Sequence, residues 1–348
     1  MATKKKMLQA AAGSGGGGVT PTIFVTDNES TIIAVDVSDP TAMTELSLFA
    51  TGFSGTGGSF LGADSTKSLL FMSWGDNSHV IDASNPEVLS TLGSVDLGDG
   101  AEAEIAVDAD LEVFFVGCGD GLFAVDYSAP ATPTQLDLYS TVGTANVAVV
   151  DPVAQVAYVT STSRDELISL DYSTPTNITL LDTETNGATL DGARYMALSP
   201  DGDTIFVAAQ SDDEISSFNV SSPAIITYIN DFTSGTFMNN PRHVFYNTST
   251  SELIGLTTQP NLGISIVDVS NPSSMSLNGS LIVADMGSLA GAVFNDAEQV
   301  LFVSFRDSAT TYTNQVVAFD VSNSASIAVL GTFTPSAVTN LGSMALIA

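Results

Sequence analysis

One short segment recurs seven times along the chain, and that recurrence limits its possible folds more than any other feature. Ile33-Ala34-Val35-Asp36-Val37-Ser38-Asp39-Pro40 returns as VIDASNP ending at Pro86, AVDYSAP at Pro130, SLDYSTP at Pro175, SFNVSSP at Pro223, IVDVSNP at Pro272 and AFDVSNS at Ser324. Its anchors are Asp36, Asp82, Asp126, Asp171, Asn219, Asp268 and Asp320, spaced by 46, 44, 45, 48, 49 and 52 residues. A fixed period in this range marks an array of one supersecondary unit.

Each copy carries further apolar runs. Upstream lie Ile23-Phe24-Val25, Leu70-Phe71-Met72, Phe114-Phe115-Val116, Ala157-Tyr158-Val159, Ile205-Phe206-Val207, Ile254-Gly255-Leu256 and Leu301-Phe302-Val303. They are short, rich in aromatic and β-branched residues and bounded by turn formers, so they read as strands. Before them come runs such as Tyr195-Met196-Ala197-Leu198, closed by turns such as Ser199-Pro200-Asp201-Gly202; after the anchor comes an alternating run such as Leu46-Ser47-Leu48-Phe49. Four hairpin-connected strands per repeat make a propeller blade. The expected fold is all-β: a seven-bladed β-propeller of four-stranded antiparallel blades over residues 20–348, preceded by a Gly-rich tail over 1–19.

The ends of the sequence fit this scheme. Thr22 to Val25 reads as the second strand of a blade, and Gly342 to Ala348 aligns with first strands such as Arg194 to Ser199. The C-terminal strand is therefore expected to join the N-terminal blade and close the ring, removing open sheet edges. The anchor Asp, at the end of a third strand, is suited to accept backbone N–H groups of the following turn. A residue present in every blade is scaffold.

The apolar-apolar-Asp-apolar-Ser-x-Pro box resembles the LVIVD-type propeller repeats of surface-associated bacterial and archaeal proteins. That resemblance implies the fold over residues ~20 to 348 and no particular chemistry. The opening MATKKKMLQAAAGSGGGG is similar to short leaders of marine bacteriophage virion structural proteins. It implies a virion location and other virion or surface proteins as partners, reached through the tail, with a glycan or receptor as a further contact. An extracellular or cell-surface location is the alternative.

Composition narrows the function classes. A net charge of −31, with 28 of the 39 acids being Asp, repels phosphate backbones, and Lys4-Lys5-Lys6 is too short to reverse that. Nucleic acid is not expected as a partner. No run approaches the ~18 apolar residues of a membrane-spanning helix. Cys118 is alone, so neither an intrachain disulfide nor a Cys/His zinc pattern can be assembled. No Ser-His-Asp set, phosphate loop or HExxH motif appears. Neither catalysis nor a cofactor is expected.

First strands of blades line a propeller's channel, and their starts face its mouth. The aligned repeats put Ser59, Ala103, Asn146, Arg194, Arg242, Ala290 and Gly342 at one equivalent position, with His243 and Glu104 one residue further in. The chain has only four arginines, and two of them on adjacent blades make a positive spot able to hold a carboxylate; salt bridges to neighbouring blades are the structural alternative. Pro241-Arg242-His243 also resembles the channel-mouth motif of seven-bladed lactonases, which would make Arg194, Arg242, His243 and Glu104 a hydrolytic set. The rest of that family's acidic and basic channel residues have no match here. Asp212-Asp213-Glu214, with Asp201-Gly202-Asp203, is a candidate Ca²⁺ cluster without EF-hand spacing, or else a solvated turn. Trp74, Tyr127 and Tyr172 could stack on sugars or pack in the core.

Overall fold

The computed structural model describes residues 20–27, 30–53, 59–98, 100–140, 143–235, 238–257, 262–284, 288–306, 314–338 and 340–348, with the side chains of 101–104 left aside. The proposed tail, 1–19, lies outside the described residues. The described strands form seven four-stranded antiparallel sheets. Blade one joins Met344–Ile347 to Thr22–Thr26, Thr31–Asp36 and Thr44–Ala50. The first strands of blades two to seven are Ser59–Asp64, Ala101–Asp108, Ala145–Asp151, Ala193–Leu198, Pro241–Asn247 and Ser288–Asn295. These first strands approach one another around the ring and surround its centre.

Closure is as expected. Thr22 pairs with Ile347 and Val25 with Met344 in antiparallel register. The stitching continues past the strand: Thr26 N–H donates to Ser343 O at 3.0 Å, and Gly342 N–H to Thr26 O at 2.7 Å. Ser343 Oγ accepts Leu61 N–H of blade two at 3.2 Å, while Ser304 Oγ of blade seven donates to Gly342 O at 2.9 Å. The C-terminal segment thus ties three blades together.

The second strands are sandwiched between neighbouring blades and buried along their whole length, which is why they read as unbroken apolar runs. One register differs from the sequence reading. Glu252 pairs with Asp268 as Thr204 pairs with Asn219, so the sixth blade's equivalent run is Leu253-Ile254-Gly255, one residue earlier than the apolar pattern placed it. Gly255 takes a position where the other blades carry Val or Met, with the Ile215 and Met238 side chains in contact range of its missing Cβ.

The anchor box does what its chemistry predicts. In all seven copies the anchor's side-chain oxygen accepts the backbone N–H of the Ser two residues on, at 2.7 to 3.0 Å. The loop it shapes then presses on the preceding blade. Each fourth strand carries a β-bulge where it pairs with the third. At that bulge Ser47 Oγ donates to Pro86 O of the next blade at 2.6 Å. Gly93, Gly279 and Gly331 leave room for the incoming carbonyls of Pro130, Ser324 and Pro40. The contact of Gly331 with Pro40 carries the interlock from blade seven to blade one.

Candidate functional site

Antiparallel blades give the ring two unlike faces. Inter-blade connections and the hairpins between second and third strands lie on the mouth face, where first strands begin. The hairpins between first and second strands lie on the far face with the anchor loops. All four arginines fall on the mouth face: Arg164 in a hairpin of blade four, Arg194 and Arg242 at first-strand starts of blades five and six, and Arg306 at the end of a second strand of blade seven. Lys67, the propeller's one lysine, sits on the far face, paired with Glu112 of blade three at 2.7 Å.

A bulge sets the mouth positions. In blade four the register skips Asn146, in blade six Arg242 and in blade seven Ala290; in blade five it skips Arg194 and Tyr195. An extra residue in one strand breaks the alternation and re-aims its side chain. Asn146, Arg194 and Arg242 are consequently partly exposed on three consecutive blades. Asn146 is oriented by its Nδ2, which donates to Thr162 Oγ1 at 2.8 Å.

Among the described residues no carboxylate pairs with Arg194 or Arg242. Arg242 donates one N–H to Leu289 O at 3.3 Å, while the buried Nε–H of Arg194 has no acceptor among the described residues. Burial, and then the charge of Arg242, push the Arg194 guanidinium below its ordinary pKa.

Two mouth candidates are withdrawn from the channel. His243 is 1% exposed, its ring stacked on Tyr195 at 3.8 Å, because the residue after the bulge returns to the ladder and faces the neighbouring blade. Burial, helped by Arg242, pushes its pKa down to about 3, leaving a very weak base. Ser59 is also 1% exposed: the first strand of blade two pairs with the second without a bulge, and Ser59 lies directly opposite Trp74. Glu104 belongs by backbone to the first strand of blade three, but its side chain lies outside the described residues.

The acidic cluster is dispersed. Asp201 and Asp203 sit at one end of the strand Thr204–Ala209, and Asp212 to Glu214 at the other, a separation of about 20 Å at ~3.3 Å per residue. Asp212 Oδ2 accepts Asp191 N–H at 2.9 Å and Asp213 Oδ1 accepts Asn240 N–H at 2.7 Å, pinning two different connections. Glu214 accepts from Ser216 Oγ at 2.8 Å. No group of three metal-ligating side chains occurs among the described residues. Trp74, Tyr127 and Tyr172 are buried, so none offers a stacking platform.

Sequence reasoning missed one polar group. On blade two Ser59 Oγ, Trp74 Nε1 and His79 Nδ1 are all buried without a hydrogen-bond partner among the described residues, with Phe53 stacked over the imidazole. Strand register puts Ser59, Trp74 and His79 on one face of the sheet, which period-two alternation alone could have shown.

Comparison with known proteins agrees with this architecture. The LVIVD repeat family matches at residues 23–51 and 260–283, within blades one and six. No curated protein matches the sequence. A Lactobacillus plantarum protein superposes with a TM-score of 0.78 at 13% identity, covering 94% of this chain and 99% of its own. A functionally unknown protein of Desulfotomaculum acetoxidans gives 0.74 at 13% identity over the same shares. The periplasmic gluconolactonase of Pseudomonas aeruginosa gives 0.71 at 14%, again over 94% and 99%. At such identities the likeness is one of fold. No helix of the described residues is long and apolar enough to cross a membrane.

Proposed function

We propose that this chain is a non-enzymatic binding and structural propeller displayed on a particle surface, a virion decoration, tail or fibre-associated component. Its N-terminal segment joins it to neighbouring virion or surface proteins, and the propeller presents a rigid face for protein, receptor or glycan contact. One observation carries the non-enzymatic part: no described carboxylate pairs with the mouth arginines, and the imidazole beside them is buried and hard to protonate. Further along the first strands the partly exposed positions are mostly apolar, among them Val150, Leu198, Phe245 and Phe294, with Tyr246 and Asp151 as polar exceptions. The leader's similarity to phage virion proteins supports the location. Mass spectrometry of purified particles tests it, and absence of the chain from particles overturns it. Incorporation unchanged after deletion of residues 1–18 would remove the docking role of the tail.

A lactonase-like hydrolase is the second reading, favoured by the Pro241-Arg242-His243 motif and the shared fold with the Pseudomonas aeruginosa gluconolactonase. Turnover of any member of a panel of sugar lactones, lost in Arg242→Ala, would establish it over the first. A cell-surface adhesion module would instead appear in extracellular fractions.

A further inference from the structure

We propose that Arg194 and Arg242 hold a small oxyanion at the channel mouth, a carboxylate or phosphate-type group bridged between two guanidiniums on adjacent blades. The site is independent of particle attachment. Three structural facts converge on it. The arginines occupy equivalent bulge positions of neighbouring first strands, so the fold aims both at the same lumen. Like charges placed side by side at partial burial are unfavourable unless a counter-charge joins them. The acids of the same blade's second hairpin do not supply it: Asp212 and Asp213 accept the backbone N–H groups of Asp191 and Asn240, and neither forms an ion pair with Arg194 or Arg242.

The donors are also unspent. A guanidinium offers five N–H groups in a planar fork that matches two oxygens of one anion. Arg242 commits one of its five to Leu289 O, and the buried Arg194 Nε–H has no acceptor among the described residues. A buried donor without a partner is an expense that native proteins generally avoid, so an acceptor from outside the chain is the consistent answer. Asn146, on the preceding blade, keeps its second amide N–H free of the bond to Thr162 and extends the arc of donors. By contrast Arg164, on the same face, already has Glu166 within 4.0 Å.

Titration calorimetry of the full chain with inorganic phosphate, sulfate, citrate and glucuronate, at constant ionic strength, tests the site. The expected result is saturable one-to-one binding of at least one probe. Arg194→Ala and Arg242→Ala should each weaken it tenfold or more, and Arg164→Ala should leave it unchanged. Preference for citrate and glucuronate would assign a carboxylate ligand; preference for phosphate and sulfate, a tetrahedral one. Without anion each arginine variant should melt at or above the wild-type temperature, because the like-charge repulsion is relieved, yet lose the anion-dependent rise, which a merely structural role would not produce. No saturable binding by any probe, or equal binding by the double variant, overturns the proposal. Neither result bears on particle incorporation.

Discussion

Tyr172 Oη of blade four donates to Asp108 Oδ2 of blade three at 2.8 Å, both residues fully buried. The other oxygen of Asp108 caps its own hairpin, accepting from Asp110 and Leu111 N–H at 3.0 Å each. Tyr127 makes the same bond to Asp64 of blade two at 2.9 Å. Burial and the adjacent carboxylate push both phenols far above their ordinary pKa, so both stay protonated donors. Other repeats place Val37, Ala83, Val220, Val269 and Val321 at this position, which confines the polar pin to the joints of blades two, three and four.

Tyr172→Phe keeps the ring and strands a buried carboxylate oxygen, so it should cost about 1–3 kcal/mol. Urea unfolding measures it. A change within ~0.5 kcal/mol, the usual range of a neutral surface substitution, would mean that the bond contributes nothing net.

A methyl group on Gly279 would overlap the carbonyl oxygen of Ser324 in the next blade, whereas one on Gly235 would meet nothing within 4 Å. Gly279→Ala should therefore destabilise by about 1–3 kcal/mol or more through overpacking, with Gly235→Ala close to neutral. Comparing the two melting temperatures separates interblade crowding from the ordinary effect of replacing a glycine.

Removal of residues 343–348 deletes the strand that pairs with Thr22–Thr26. The exposed edge should aggregate and the unfolding transition should lose cooperativity. Size-exclusion chromatography with hydrogen exchange reads this, and a monomeric, fully protected truncation would show that six blades and three strands suffice.

Glu214, buried and acting as acceptor to Ser216, has its pKa pushed up by burial to about 7 from 4.5. The folded state then holds a proton that the unfolded state has lost, so stability declines as pH rises from 4.5 to 7. His79 and His243 act the other way. Burial lowers their values from 6.5 to about 4 and about 3, so stability declines as pH falls below 6.5. Glu214→Gln, which retains the acceptor, should match the wild type near pH 4.5 and exceed it at pH 8. Chemical denaturation across that range checks the sign, and parallel profiles would refute it.

Most of the fold is legible in the chain because its determinants are local and repeated. Asp36 and its six equivalents each bond the N–H two residues on, a contact that needs no neighbour in space. The pairing of Met344–Ile347 with Thr22–Thr26 also follows from counting strands, since one incomplete blade at each end adds up to a whole one. Where the pattern alone failed, as at Ile254-Gly255-Leu256, a Gly in the run had left the apolar signal without a phase.

The candidate site divides along the same line. By itself the sequence determined that Asn146, Arg194 and Arg242 share one position on successive blades, because alignment of repeats conveys equivalence. Only the tertiary structure decided that His243 and Ser59 turn inward and that the arginines have no described carboxylate beside them. A bulge is one extra residue in a ladder, and a missing counter-charge concerns what lies across space; neither leaves a periodic mark along the chain.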